Sequence, residues 1–252
     1  MDPYYDQDGI TIYHGDALRV LPELSLQVNA VISDPPYSTG GAFRTDRTRN
    51  GQQKYQSWGT LREFPEFAGD TRDQRSFAMW CTLWLGECLD QAAPGCAIAL
   101  FSDWRQLPTT TDALQAAGWV WRGLAVWDKT EGARPQRGRF RQQTEFVAWG
   151  SAGPMGNEGP CLPGVFRSSV SGTGNEKQHL AGKPLSVMKE ICAIAWRPGS
   201  LILDPFVGSG TTLRAAKDLG LRAVGIELVE EICEVAAKRL DQKTFAFGEL
   251  TV

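Results

Sequence analysis

The 252-residue sequence predicts an α/β fold: a mostly parallel, twisted sheet with helices on both faces. Two observations predict it. Compact apolar runs at residues 28–33, 96–101, 200–203 and 222–226 alternate with segments of helical periodicity, the pattern of strands joined by crossover helices. Two of these runs end abruptly in unusual loops, Asp34-Pro35-Pro36-Tyr37 and Asp204-Pro205-Phe206-Val207-Gly208-Ser209-Gly210. In open α/β sheets, ligands bind at such carboxyl ends.

Taken in order, residues 10–13 alternate like a strand and residues 17–24 read as a short helix. Residues 28–33 (VNAVIS) suit a strand buried on both faces. Pro35 and Pro36 stop it, because consecutive prolines cannot donate to a ladder. Residues 38–75 are Gly-, Arg- and Gln-rich without periodicity, a long functional loop. Helix 76–92, strand 96–101 and helix 110–117 follow, the last ending at Gly118. Residues 123–127 and 145–149 read as strands flanking a second irregular loop. Helix 184–195, strand 200–203, helix 209–219, strand 222–226 and helix 229–240 complete the chain. The organisation expected is a first half over 1–149, a short Gly-, Pro- and Ser-rich insert over 150–182, and a second half over 183–252.

At 42% hydrophobic and 22% charged, the composition is that of an ordinary water-soluble domain. No apolar run approaches a bilayer span, and the acidic start MDPYYDQDGI is no secretion signal, so a cytoplasmic location without membrane contact is expected. Six cysteines without a CxxC pair suggest reduced thiols, and with two histidines no metal site is expected. The net charge of −3 hides two basic stretches. One holds Arg44, Arg47, Arg49, Lys54 and Arg62 against Asp46; the other holds Lys129, Arg134, Arg137, Arg139 and Arg141 against Glu131. Each is either a solvated loop or a surface that faces phosphates. Trp80, Trp84, Trp119 and Trp121 read as core rather than as base-stacking surface.

The two loop motifs carry the chemistry. Gly208 and Gly210 let the backbone approach a ligand closely, and Glu227 ends the next strand, where a dinucleotide fold places its ribose-binding acid. The loop is neither G-x-G-x-x-G nor a P-loop, which points to a nucleoside without pyrophosphate. Asp34 and the carbonyl of Pro35 can both accept from an aromatic amine and draw its lone pair toward sp³ geometry, while Tyr37 can stack on the base.

These motifs resemble the amino-methyltransferases that act on DNA with S-adenosylmethionine. The order, DPPY before FxGxG, is similar to their β class, and the resemblance covers nearly the whole chain. It implies a Rossmann-like methyltransferase fold of circularly permuted motif order, with the strand after Gly9 lying beside the strand that ends at Glu227. It implies catalytic roles for Asp34, Pro35, Pro36 and Tyr37, with Asp at position 34 pointing to adenine N6 and Ser there typical of cytosine N4. It implies cofactor contacts at Asp16, Ala17, Asp34, Lys183, Asp204, Phe206, Gly208, Gly210, Thr211, Thr212 and Glu227. Trp127, Lys129, the following arginines and Glu145 match a W-x-K…R…E stretch of the family. Ser38 and Gly182 stand where members often have Asn and Gln. The target base must be flipped from double-stranded DNA, so residues 38–62 and 129–141 are expected to grip phosphates and fill the vacated stack. A homodimer and a companion restriction endonuclease are further implications. The alternatives are a cytosine-N4 enzyme, a catalytically silent DNA-binding regulator, and an RNA or protein amide methyltransferase; Cys161 sits in the insert, away from any strand end, which argues against a cytosine-C5 enzyme.

Overall fold

The computed structural model describes residues 1–37, 72–133, 137–169 and 183–242. In chain order its strands are β1 (Tyr5–Gln7), β2 (Ile10–His14), β3 (Val28–Ser33), β4 (Ala92–Ser102), β5 (Val120–Asp128), β6 (Thr144–Ser151), β7 (Val165–Arg167), β8 (Leu201–Asp204) and β9 (Arg222–Glu227). The helices are α1 (Ala17–Val20), α2 (Gln74–Asp90), α3 (Leu107–Ala116), α4 (Leu185–Cys192), α5 (Thr211–Asp218) and α6 (Glu230–Asp241). All nine strands join one sheet in the order β1-β2-β9-β8-β3-β4-β6-β5-β7. The central run β2, β9, β8, β3, β4 is parallel. The antiparallel pairs are β1–β2, β4–β6 and β5–β6.

Strict alternation splits the core in two. Ala30, Ile32, Ala97, Ala99, Phe101, Ile202 and Ala223 face α4, α5 and α6. Val31, Ile98, Leu100, Leu203, Val224 and Ile226 face α1, α2 and α3. Both faces are covered, which is why these strands read as continuous apolar runs. α2 is long because Phe77, Cys81, Trp84, Leu85 and Cys88 keep one buried face. It begins two residues earlier than its apolar pattern, since Asp73 caps it by accepting from the amides of Arg75 and Ser76.

Connectivity sets the location of the site. The chain leaves β8 through α5 to β9 on one side, and leaves β3 toward α2 and β4 on the other. The carboxyl ends of β8 and β3 are therefore adjacent strand ends from which the connections diverge, the crevice where open α/β sheets bind ligands. The strand after Gly9 pairs in parallel with the one ending at Glu227, Ile10 opposite Ala223 and His14 opposite Glu227.

Some elements differ from the sequence reading. β1 and β7 are short edge strands with too few alternations to read. β7 lies inside residues 150–182 yet pairs with β5, so this part of the insert extends the sheet. α5 begins at Thr211 rather than at 209, because Gly210 adopts φ 80° and cannot belong to the helix.

The turn after β8 is packed tightly onto β9. A Cβ on Gly225 would come within 2.2 Å of Val207 Cγ2 and 3.0 Å of both Leu213 methyl carbons. Gly225→Ala is expected to destabilise the protein by about 1–3 kcal/mol through overpacking. In urea unfolding, adding Val207→Ala should give a double variant less destabilised than the sum of the single changes.

Candidate functional site

The first half of the site is the turn after β8. Asp204 is buried at the strand end and accepts from Ser33 Oγ at 2.7 Å and from the Phe206 amide at 3.0 Å. The Ser33 bond ties β8 to β3 across the crevice. Gly208 adopts φ 52°, and a Cβ there would meet nothing within 4 Å. The backbone is thus open to a ligand at that residue, while its amide donates to Glu227 Oε2 at 3.0 Å. The other Glu227 oxygen accepts from the Val229 amide at 3.0 Å. Burial raises the Glu227 pKa, only partly offset by these two amides and by His14. Phe206 packs among Trp80 and Trp84, with ring centroids 5.1 and 5.0 Å away. At the neighbouring strand end, Asp16 caps α1 by accepting from the Leu18 amide, and Ala17 is buried.

The second half is a cluster of charges beyond β3. Lys183 Nζ lies 2.6 Å from Asp34 Oδ2 and 2.8 Å from Glu145 Oε1. Lys129 Nζ lies 2.8 Å from Glu145 Oε2. The Tyr37 hydroxyl donates to Asp34 Oδ1 and approaches Glu145 Oε1 at 2.9 Å. Lys183 also sits 4.9 Å from the Phe101 ring centroid and 5.4 Å from that of Tyr37. Two carboxylates and two ammoniums balance, so a cluster with Lys183 only 9% exposed and Glu145 only 10% exposed carries no net formal charge.

The two acids are not equivalent. Burial raises the Glu145 pKa, but the nearby Lys183 and Lys129 charges outweigh it and hold the carboxyl at about 2. Asp34 has one ammonium and faces the charge of Glu145, so burial prevails and its pKa is raised. Burial would lower the Lys183 pKa, yet the two acids raise it, and the amine stays protonated. Burial and the same acids push the Tyr37 phenol well above its ordinary value. Asp34 is therefore the more basic acceptor of the pair, the property needed to draw on an amine N–H.

The family model for DNA methylases of the N6/N4 type matches residues 28–155 and 162–238. The chain belongs to the DNA methylase family. It is 25% identical over 258 residues to the Type II methyltransferase M2.DpnII of Streptococcus pneumoniae, covering 95% of this chain and 92% of that protein. Over 260 residues it is 25% identical to M2.LlaDCHI of Lactococcus lactis subsp. cremoris, with the same coverage. The solved complex of M1.HpyAVI with S-adenosylmethionine superposes with a TM-score of 0.67 at 26% identity, covering 92% of this chain and 100% of that one. The cytosine-N4-specific PvuII methyltransferase superposes at 0.70 with 16% identity, a likeness of fold. S-adenosylmethionine is the methyl source of this family, and the acids Asp204 and Glu227, the open backbone at Gly208 and the aromatic wall around Phe206 fit a nucleoside rather than a phosphate.

In this methylase the described residues of the two loop motifs share the rim of one sheet. Thr211 and Thr212 are buried in the first turn of α5, behind the glycine turn, and a hydrogen bond with Thr212 lowers the Asp204 pKa somewhat against its burial. Pro35 is buried and Pro36 partly so. Tyr37, expected to offer a ring face, also has its hydroxyl held by both acids. Lys129 departs from the phosphate-facing surface expected of it: its ammonium is engaged by Glu145 and lies 5.3 Å from the Trp127 ring centroid. Glu145 matches the W-x-K…R…E stretch in sequence, which gives it no chemical role; it stands near the start of the apolar strand β6. Arg137 and Arg139 are exposed, and Arg141 bonds the Glu131 carbonyl within its own loop. Arg44, Arg47, Arg49, Lys54, Arg62 and Arg134 lie outside the described residues. Trp84 and Trp119 are core, whereas Trp80 lines the cofactor turn and Trp121 is exposed. No described helix is long and apolar enough to cross a membrane.

Burial raises the Asp204 pKa from 3.8 to about 6. The folded state then holds this proton more tightly than the unfolded chain, a stabilisation present in full below 3.8 and lost as pH rises through about 6. In cofactor-free protein, the unfolding free energy of Asp204→Asn minus that of wild type is expected to rise between pH 4 and 7, by about 3 kcal/mol at most. Urea titrations across that range check it; a pH-independent difference would contradict it.

Proposed function

We propose that this methylase moves a methyl group from S-adenosylmethionine to the N6 amine of an adenine flipped out of double-stranded DNA at a specific site. The observation that carries the reading is Asp34, followed by the proline pair, standing one strand away from the glycine turn, with Ser33 bonded to Asp204 between them. When bound, S-adenosylmethionine supplies an electrophilic methyl group on a sulfonium.

The protein's share is to bind, orient and activate. Asp204, Phe206, Gly208, Gly210, Thr211, Thr212 and Glu227 form or support the cofactor turn, with Asp16 and Ala17 at the neighbouring strand end. Asp34 and the Pro35 carbonyl accept hydrogen bonds from the two N–H groups of the amine and pull the nitrogen lone pair out of conjugation with the purine ring. Pro35 and Pro36 stiffen the turn, which keeps the acceptors in line at little reorganisation cost. Tyr37 orients the Asp34 carboxylate through its hydroxyl and offers its ring to the base.

The Lys183 ammonium bonds Asp34 Oδ2, so an amine that bonds this oxygen has to share or displace it. Glu145 gives that ammonium a second partner, so Lys183 can yield Asp34 without becoming an unpaired buried charge. Arg137 and Arg139 face phosphates. Residues 150–182 contribute to target recognition between two halves of one methyltransferase domain, 1–149 and 183–252. A homodimer and a cytoplasmic location belong to the same reading, as does a cognate restriction endonuclease, for which the Type II names of two relatives are the support.

Labelled cofactor with oligonucleotides whose only acceptor amine is adenine or cytosine tests the reading. Transfer to adenine is expected; transfer to cytosine alone would make it an N4 enzyme, and no transfer would make it a regulator. Asp34→Ala is expected to lower turnover by about a hundredfold or more while cofactor affinity stays within a few fold. Arg137→Ala with Arg139→Ala should flatten the slope of log affinity against log salt by about 0.9 for each phosphate that is no longer neutralised. Salt-dependent binding to a 30-mer duplex measures it.

A further inference from the structure

Phe140 is the most exposed large apolar side chain among the described residues, at 95%. It stands in the loop between β5 and β6, with exposed Arg137 and Arg139 just before it and half-buried Arg141 just after it. A lone apolar residue at a surface is ordinary. The placement of this one is not.

β5 runs parallel to β4, since both are antiparallel to β6, so this loop leaves the sheet at the same rim as Asp34 and Asp204. Five residues after Phe140, Glu145 lies inside the charge cluster, which puts the two Cα atoms within about 18 Å of each other. The base of the loop is fixed. Lys129 N donates to the Gln143 carbonyl at 2.8 Å, Thr130 N and Gln143 Nε2 each donate to Asp128 Oδ1 at 2.8 Å, and Arg141 bonds the Glu131 carbonyl. Gly138 turns the tip with φ 69°, and a Cβ there would meet nothing within 4 Å. A clamped base thus carries an open tip bearing one aromatic ring among arginines.

We propose that Phe140 is the wedge that enters the base stack of duplex DNA when the target nucleotide leaves it. The inference rests on the DNA methylase reading given above. A flipped base leaves a gap whose walls are the faces of the neighbouring bases, and an apolar ring restores the missing stacking. The exposed guanidiniums of Arg137 and Arg139 match the phosphates beside such a gap. The same charges repel a second copy of this loop, so the occupant the surface fits is DNA rather than another protomer. The ring acts through the position of the base and touches no reacting atom; Phe140 is a positioning residue.

The test begins by mapping the methylated base in unmethylated plasmid DNA incubated with the wild-type protein. Duplexes of 30 base pairs carrying that site are then made with the target base opposite its complement or opposite an abasic residue. Phe140→Ala is expected to lower kcat/KM on the paired duplex by about tenfold to a hundredfold, the loss expected for one aromatic–base stack. On the abasic-partner duplex, where flipping breaks no base pair, the wild-type-to-variant ratio should shrink several-fold. Phe140→Trp should recover most of the rate. With 2-aminopurine at the target position, wild type should raise the fluorescence more than Phe140→Ala does at equal occupancy of the duplex. Equal ratios on both duplexes, or equal fluorescence, would overturn the wedge while leaving the methyl-transfer reading in place. Wild-type protein that modifies no DNA would overturn both.

Discussion

The contact between Ser33 and Asp204 is the constraint from which the rest of the site follows. β3 and β8 are parallel neighbours whose chains depart in opposite directions. A crevice at their carboxyl ends is therefore a consequence of topology. Without a bond across it, however, each loop would be positioned only by its own strand. Ser33 Oγ at 2.7 Å from Asp204 Oδ1 fixes one loop against the other, and the residue after Ser33 is Asp34. The register Ala30 to Ile202 and Val31 to Leu203 places Asp204 one residue, and Ser33 two residues, beyond the last ladder pair. Proline at 35 and glycine at 208 then give the two loops their contrasting character, one stiff and one open.

The charge cluster adds a second constraint, this one electrostatic. Four charged groups removed from water are costly unless each meets an opposite charge in good geometry. Glu145 achieves this with two ammoniums, so it remains ionised, and Lys183 with two carboxylates. Asp34 is the least satisfied member: it shares Lys183, faces the charge of Glu145, and is the most exposed of the three groups that meet there. The polar interior thus favours Asp34 as the group that exchanges partners. A carboxylate with two dedicated cations would bind an amine less readily.

Much of this was legible in the sequence. β3, β8 and β9 are buried on both faces and read as unbroken apolar runs, and the prolines and glycines that end two of them mark the rim. The pairing of the strand after Gly9 with the strand ending at Glu227 was implied by the family resemblance and is present. What could not be read was mutual orientation. The sequence pattern around Lys129 is that of a basic loop, and only the antiparallel pairing of β5 with β6, Trp127 opposite Glu145, brings that ammonium inward. β1 and β7 have three residues each and carry no period. Gly210 looks like the first turn of a helix until its positive φ excludes it.

The rim also shows where stability is given up for function. Asp34, Asp204 and Glu227 all have carboxyl groups whose pKa burial raises, so all three disfavour the folded state in their ionised form. Backbone amides relieve this only in part: Phe206 N reaches Asp204, and the amides of Gly208 and Val229 reach Glu227. A fold selected for stability alone would place apolar residues at these strand ends, as it does at Leu203 and Ile226 one residue earlier. Carboxylates held short of donors gain most from a ligand that brings its own, such as a ribose with two hydroxyls or an amine with two protons. A ligand that binds the folded rim alone shifts the folding equilibrium toward the folded state, by an amount set by its concentration relative to its Kd.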